Sequence, residues 1–187
     1  MLSSLIGVIA SSGGAAAAAN SYESIATANG TGSNTSITFS SIPSTYSHLQ
    51  LRWFSKTNEA AAYTFLYLRL NSDTGSNYAA HELYGNGSSA GAGAGTTQTS
   101  GWLGYSGAAN TTSNYGVGVT DILDYANTNK YKTVRTLSGL DSNGAGSVGL
   151  ESALWQSTSA VTGITIFASG SPSFTSGTTF ALYGIKG

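Results

Sequence analysis

From Asn20 onward the chain alternates apolar and polar positions with a period of two, the pattern of half-buried strands. Leu49, Leu51 and Trp53 fall on one face of a strand, and His48, Gln50 and Arg52 on the other. Between Tyr63 and Asn71, Leu66, Leu68 and Leu70 share one face, and Phe65, Tyr67 and Arg69 share the other. The same reading predicts strands over 116–125, 131–137, 148–155, 163–168 and 178–186, with shorter ones over 22–27 and 36–41. β-Branched and aromatic residues fill these runs, as pleated surfaces favour. Clusters of Gly, Asn, Ser and Asp at 71–75, 85–87, 141–144 and 170–172 supply the turns between them. The segment 85–97, GNGSSAGAGAGTT, predicts a loop or an extended surface tongue. In the last run, Phe180 and Leu182 face one way and Ala181, Tyr183 and Ile185 the other. Both faces are apolar, which predicts an interior strand or one at a subunit contact. About ten strands with regular turns predict an all-β fold: a two-sheet antiparallel β-sandwich of jelly-roll type over residues 20–187.

Charge changes this picture. Only 8% of residues are Asp, Glu, Lys or Arg, against ~25% in ordinary globular domains. Seven basic and eight acidic side chains leave a formal net charge of −1. No basic stripe is available for nucleic acid, and little repulsion keeps copies apart. With 40% hydrophobic and 11% aromatic residues, the chain still has the material for a core and is not disordered by composition. It has no cysteine, which excludes disulfides and cysteine-based metal sites and suits a reducing cytoplasm. Such a composition fits a protein that lives inside an assembly, or a secreted all-β domain.

Residues 1–19, MLSSLIGVIASSGGAAAAA, differ from the rest. A secretory signal needs a basic start and roughly 7–15 apolar residues; here no Lys or Arg precedes a six-residue apolar run that includes Gly7. A membrane span needs about 20 apolar residues, so no membrane partner is expected. Leu2, Leu5, Ile6, Val8 and Ile9 are too apolar to rest in water. They read as an assembly arm, set off by Gly13-Gly14 and the alanine run, that docks on another subunit. The same residues also fit a first strand or short helix packed on its own domain.

Candidate chemistry is sparse. Gly87 to Gly91 matches G-x-S-x-G, but a nucleophile elbow needs a following helix and a histidine after the serine. His48 and His81 both precede Ser89. Gly144 to Gly149 matches G-x-G-x-x-G, yet no acid follows Glu151 and a strand, not a helix, comes next. His81-Glu82 lacks a second histidine at helical spacing. Asn71, Asp73 and Asn77 offer oxygens around Gly75, fewer acids than a calcium loop uses, and a hairpin turn is the default. The acids Glu23, Glu59, Asp73, Glu82, Asp121, Asp124, Asp141 and Glu151 show no pairing by spacing of the kind glycoside hydrolysis requires. No catalytic residue, cofactor site or metal site is assigned. Trp53 and Trp155 sit in apolar strands and read as core. Trp102, Tyr105 and Tyr115 sit in or beside glycine-rich and polar segments. They read as core or subunit anchors, or as rings that stack a host-surface glycan.

Several segments resemble a module of tailed-bacteriophage structural proteins: SITFSSIPSTYSHLQLR (36–52), LRLNSDTGSNYAAHELYGNGSSA (68–90), DILDYANTNKYKTVRTLSG (121–139), GLESALWQSTSAVTGITIFASG (149–170) and the FALYGIKG ending. The likeness covers nearly everything after about Ser21, and DYANTNKYK and ALYGI are its most specific parts. It implies an all-β virion protein made in the host bacterial cytoplasm, of the tail-fibre, baseplate or head-decoration type, with other virion proteins as partners. It carries no catalytic residue. The functional expectation is a self-associating, homotrimeric appendage attached through its N-terminal arm and contributing to host adsorption. A capsid decoration protein and a glycan-binding module are the alternatives.

Overall fold

The computed structural model describes residues 21–110, 113–143 and 145–187. These residues form twelve strands and no helix, most of the strands built on alternating apolar and polar positions. In chain order they are β1 (Tyr22–Asn29), β2 (Ser36–Phe39), β3 (His48–Ser55), β4 (Tyr63–Leu70), β5 (Tyr78–Gly85), β6 (Ala90–Gln98), β7 (Gly101–Gly107), β8 (Gly116–Leu123), β9 (Lys132–Asp141), β10 (Gly146–Trp155), β11 (Ile164–Ala168) and β12 (Thr179–Ile185). An eight-stranded sheet runs β1-β12-β3-β8-β9-β10-β5-β6, and a four-stranded sheet runs β2-β11-β4-β7. Every pairing within the sheets is antiparallel.

Setting aside the hairpins β5–β6 and β9–β10 leaves β1-β12-β3-β8 opposite β2-β11-β4-β7. That is the strand order of a jelly roll, in which the chain passes repeatedly from one sheet to the other. Both hairpins extend the same sheet, beyond β8, and so double its width. The four-stranded sheet spans fewer strands, so part of the larger sheet projects past it.

The core lies between the sheets. Leu49, Leu51 and Trp53 of β3 meet Leu66, Leu68 and Leu70 of β4, with Ile164 and Ile166 of β11 and Phe180 and Leu182 of β12. Trp53 stacks on Phe180 with centroids 6.1 Å apart, and Phe174 meets Phe180 edge-on at 5.5 Å. The closing segment is thus an interior strand, held between β1 and β3. Trp155 is also buried, and its indole Nε1 donates to Asp73 Oδ2 at 2.7 Å.

One expectation is corrected. Residues 85–97 do not form a loop or tongue, because Ala90–Gln98 is strand β6, paired with β5 in regular register from Ala90 to Gly95. Alternating glycine makes the pairing possible. A Cβ at Gly91 would lie 2.6 Å from the Tyr84 ring, and one at Gly93 would lie 2.8 Å from the Glu82 carboxylate. The bare strand is the space into which two β5 side chains lie. Strands β5 and β7 add to the expected set of about ten.

Candidate interaction surfaces

The register of the eight-stranded sheet aligns its outward side chains in rows. One row is Arg52, Val119, Leu137, Leu150, Leu83 and Ala92 across β3, β8, β9, β10, β5 and β6. The next is Phe54, Val117, Gly139, Val148 and Gly85. These apolar side chains stand in solvent: Leu83 is 61% exposed, Leu137 60%, Val117 54% and Val148 53%, with Phe54, Val119 and Leu150 also exposed. The inward positions of the same strands carry Gly116, Gly118 and Thr120, then Thr136 and Ser138, then Ser147, Gly149 and Glu151. Over β8 to β10 the larger apolar groups therefore point away from the core for part of each strand. Gly139, between Val117 and Val148, leaves an open groove of about 770 Å³ floored by the sheet and walled by Phe54, Val119 and Leu137.

A polar chain flanks the apolar rows. Arg52 Nε donates to Gln50 Oε1 at 2.8 Å, Gln50 Nε2 donates to Asp121 Oδ1 at 2.9 Å, and Asp121 faces Arg135 at 3.5 Å. The Arg52 guanidinium also lies 5.5 Å from the rings of both Tyr22 and Tyr183.

The outward face of the four-stranded sheet is aromatic. Phe65 meets Trp102 at 6.0 Å and Tyr105 at 5.2 Å, both edge-on, and Tyr67 at 5.5 Å. Tyr67 stacks on Phe167 at 5.7 Å, and Arg69 caps Phe167 at 4.5 Å. Tyr63 closes the other end against Tyr105 at 5.4 Å. Trp102 and Tyr105 are thus brought together. Their strand β7 carries a register shift opposite Leu66/Tyr67, which keeps both rings on the side of Phe65 and Tyr67. Trp102 is half-buried, whereas Tyr105 is 6% exposed and its hydroxyl donates to Glu82 Oε2 at 3.5 Å. Tyr115 lies apart, edge-on to Phe54 at 5.9 Å, beside a polar groove bounded by Asn86, Ser88, Asn114 and Asp141. The arm residues Leu2, Leu5, Ile6, Val8 and Ile9 lie outside the described residues.

The sheet also creates an acid pair that spacing along the chain does not reveal. Glu151 of β10 sits directly opposite Glu82 of β5. Glu151 is wholly buried, and its carboxylate lies where a side chain on Gly149 would be, 2.2 Å from that position. Ser138 Oγ donates to it at 3.2 Å and accepts from the Tyr105 amide at 3.4 Å. Burial pushes the Glu151 carboxyl up to about 7; the Ser138 hydrogen bond opposes this and the Glu82 charge adds to it. Burial raises the Glu82 carboxyl as well and lifts the Tyr105 phenol to about 12. Glu151 is thus enclosed in the core, whereas Glu82 is half-buried.

His81-Glu82 lies within β5 and Gly146–Gly149 within β10, and two other motifs lie at turns. Asn86 Oδ1 accepts from the amides of Ser88 and Ser89 and from Ser89 Oγ, so the serine of the G-x-S-x-G match is tied to a turn asparagine. Asp73 Oδ1 accepts from the Gly75 amide, and Oδ2 accepts from Asn77 and Trp155. Asn71 Oδ1 accepts from the Thr162 and Gly163 amides. These partners use the oxygens around Gly75, and among the described residues no group of three or more His, Asp or Glu side chains converges as metal ligands would. No protein-family model, curated protein or solved structure matches the chain.

Proposed function

We propose that this chain is a structural, non-enzymatic protein of a tailed-phage particle. In this reading it self-associates as a homotrimer, is attached through residues 1–19, and serves in a tail fibre or baseplate that contributes to host adsorption. The observation that carries self-association is the exposed apolar face of the eight-stranded sheet, since monomers rarely leave so large an apolar surface in water. The charge content of 8% supports it, because identical copies repel little. The phage setting rests on the resemblance of segments 36–52, 68–90, 121–139, 149–170 and the FALYGIKG ending.

Sedimentation of the purified chain tests the assembly: a trimer has three times the mass of the 18.9 kDa chain, and a monomer at about 100 μM contradicts the reading. A particle reconstruction tests the setting. Density on the tail supports an appendage, and density on the head lattice supports a decoration protein instead.

The aromatic face of the four-stranded sheet favours a second reading, a glycan-binding module, since sugar rings pack their C–H faces on such surfaces. Titration with host-surface polysaccharide, compared with Trp102→Ala, tests it. An at least tenfold loss of affinity is expected, and equal binding by the variant removes Trp102 from the site.

A further inference from the structure

Over 116–120, 136–139 and 147–151, strands β8, β9 and β10 reverse the usual distribution of a sandwich. Val117, Val119, Leu137, Val148 and Leu150 point outward, while Gly118, Thr120, Thr136, Ser138 and Glu151 point toward the core. In a sheet with one solvated face, alternation normally sends the polar set outward. Over these stretches the outward set is the more hydrophobic one, while Ile122, Val134, Ala153 and Trp155 keep the usual inward pattern elsewhere on the strands, and exposed apolar rows of this size mark an interaction surface.

The properties of the face identify its occupant. By register, the charged strand residues on it are Arg52, Arg135, Asp121 and Asp141, two of each sign. Asp121 and Arg135 already face each other at 3.5 Å. A strongly charged partner gains nothing from such a face, whereas an identical copy meets no repulsion on it. Seven half-exposed apolar side chains contribute on the order of 500 Å², already at the upper end for the largest patch of a monomer. With the flanking Arg52, Tyr183 and Arg135 the face approaches the roughly 800 Å² per partner of a stable interface. The groove beside Gly139 gives it relief, with room for a protruding side chain such as Leu83 from a neighbour.

We infer that a second copy of this chain packs on the outward face of the eight-stranded sheet, centred on Leu137 and Val148 beside the Gly139 groove. This deepens the self-association reading proposed above and rests on it. The experiment is sedimentation equilibrium on the full chain and on Leu137→Arg/Val148→Arg, with circular dichroism and thermal melting of each. Both side chains point into solvent, so the variant is expected to keep its fold; Leu137→Ser/Val148→Ser is a milder pair should the arginines lower the melting temperature. The expected result is a wild-type mass at least twice 18.9 kDa and a folded variant at half that mass or less. An oligomeric wild type with an equally oligomeric variant overturns this face as the interface and leaves self-association standing. A monomeric wild type overturns both. That outcome is also the one given by residues 1–14 folding over their own sheet, or by a different protein as occupant.

Discussion

At the scale of single residues, Glu151 has the most to say. Its carboxyl is raised to about 7, from an ordinary value of 4.5. Below pH 4.5 the folded and unfolded chains are both protonated there, and the group has no effect on stability. Between pH 4.5 and 7 the folded chain holds a proton that the unfolded chain has released, so stability falls as pH rises. Well above pH 7 the full loss is present, on the order of 3 kcal/mol. The groups facing Glu151 are Glu82 from β5 and Ser138 and Tyr105 from β9 and β7. Glu151→Gln removes the titration and keeps an acceptor for Ser138. Thermal melts are expected to show the variant gaining on the wild type as pH rises from 5 to 8, and parallel curves would refute the assignment. Gly104 is a second test: its φ is +125° and a Cβ there would stand 2.3 Å from Ser138 Oγ. Gly104→Ala is therefore expected to cost about 2–3 kcal/mol in chemical denaturation, through backbone strain and displacement of Ser138 together.

At the scale of elements, much of the fold was legible where period two coincided with large side chains. Leu49, Leu51 and Trp53, and Leu66, Leu68 and Leu70, are buried on the faces their spacing assigns. Legibility failed where the side chains carried no contrast. Strand β6 is only alanine and glycine from Ala90 to Gly95, so neither β-propensity nor alternation marks it, and its pairing depends on the Tyr84 and Glu82 side chains of β5. In β7 the register shift interrupts alternation through GWLGY. In β10 the strand is visible but its orientation is not, since Val148 and Leu150 face water while Glu151 is buried. Trp102 and Tyr105 could be singled out by type, but their joining with Phe65, Tyr67 and Phe167 depends on which strands become neighbours. The β6 account is testable. Gly91→Val drives a side chain into the Tyr84 ring, so amide exchange in β5 and β6 is expected to accelerate at least tenfold. Protection in β3 and β12 should stay unchanged, because those strands lie at the other side of the sheet.

At the scale of the whole molecule, the jelly roll places β1 beside β12, so that Thr179 Oγ1 donates to Asn29 Oδ1 at 2.8 Å across 150 residues of chain. Such distant pairings are closed only after much chain entropy has been lost, which makes folding of this topology slow, from milliseconds to seconds. The same molecule carries few charges, and this separates two ways in which copies can be held together. An assembly held by ion pairs weakens as salt rises, because screening at 1 M shortens the reach of charge to about 3 Å. An assembly held by apolar burial does not weaken, and kosmotropic salts strengthen it. With a formal net charge of −1 and balanced charges on the outward face of the larger sheet, the assembly proposed above is of the second kind. Its sedimenting mass at a fixed concentration is expected to be the same in 50 mM and 500 mM sodium chloride, and to hold or rise in sodium sulfate. Dissociation on adding salt would instead locate the contact at charged groups, such as the Glu23–Lys186 pair at the β1 edge or Asp124 with Lys130 beyond β8. The apolar rows through Leu137 and Val148 would then have to be covered in some other way.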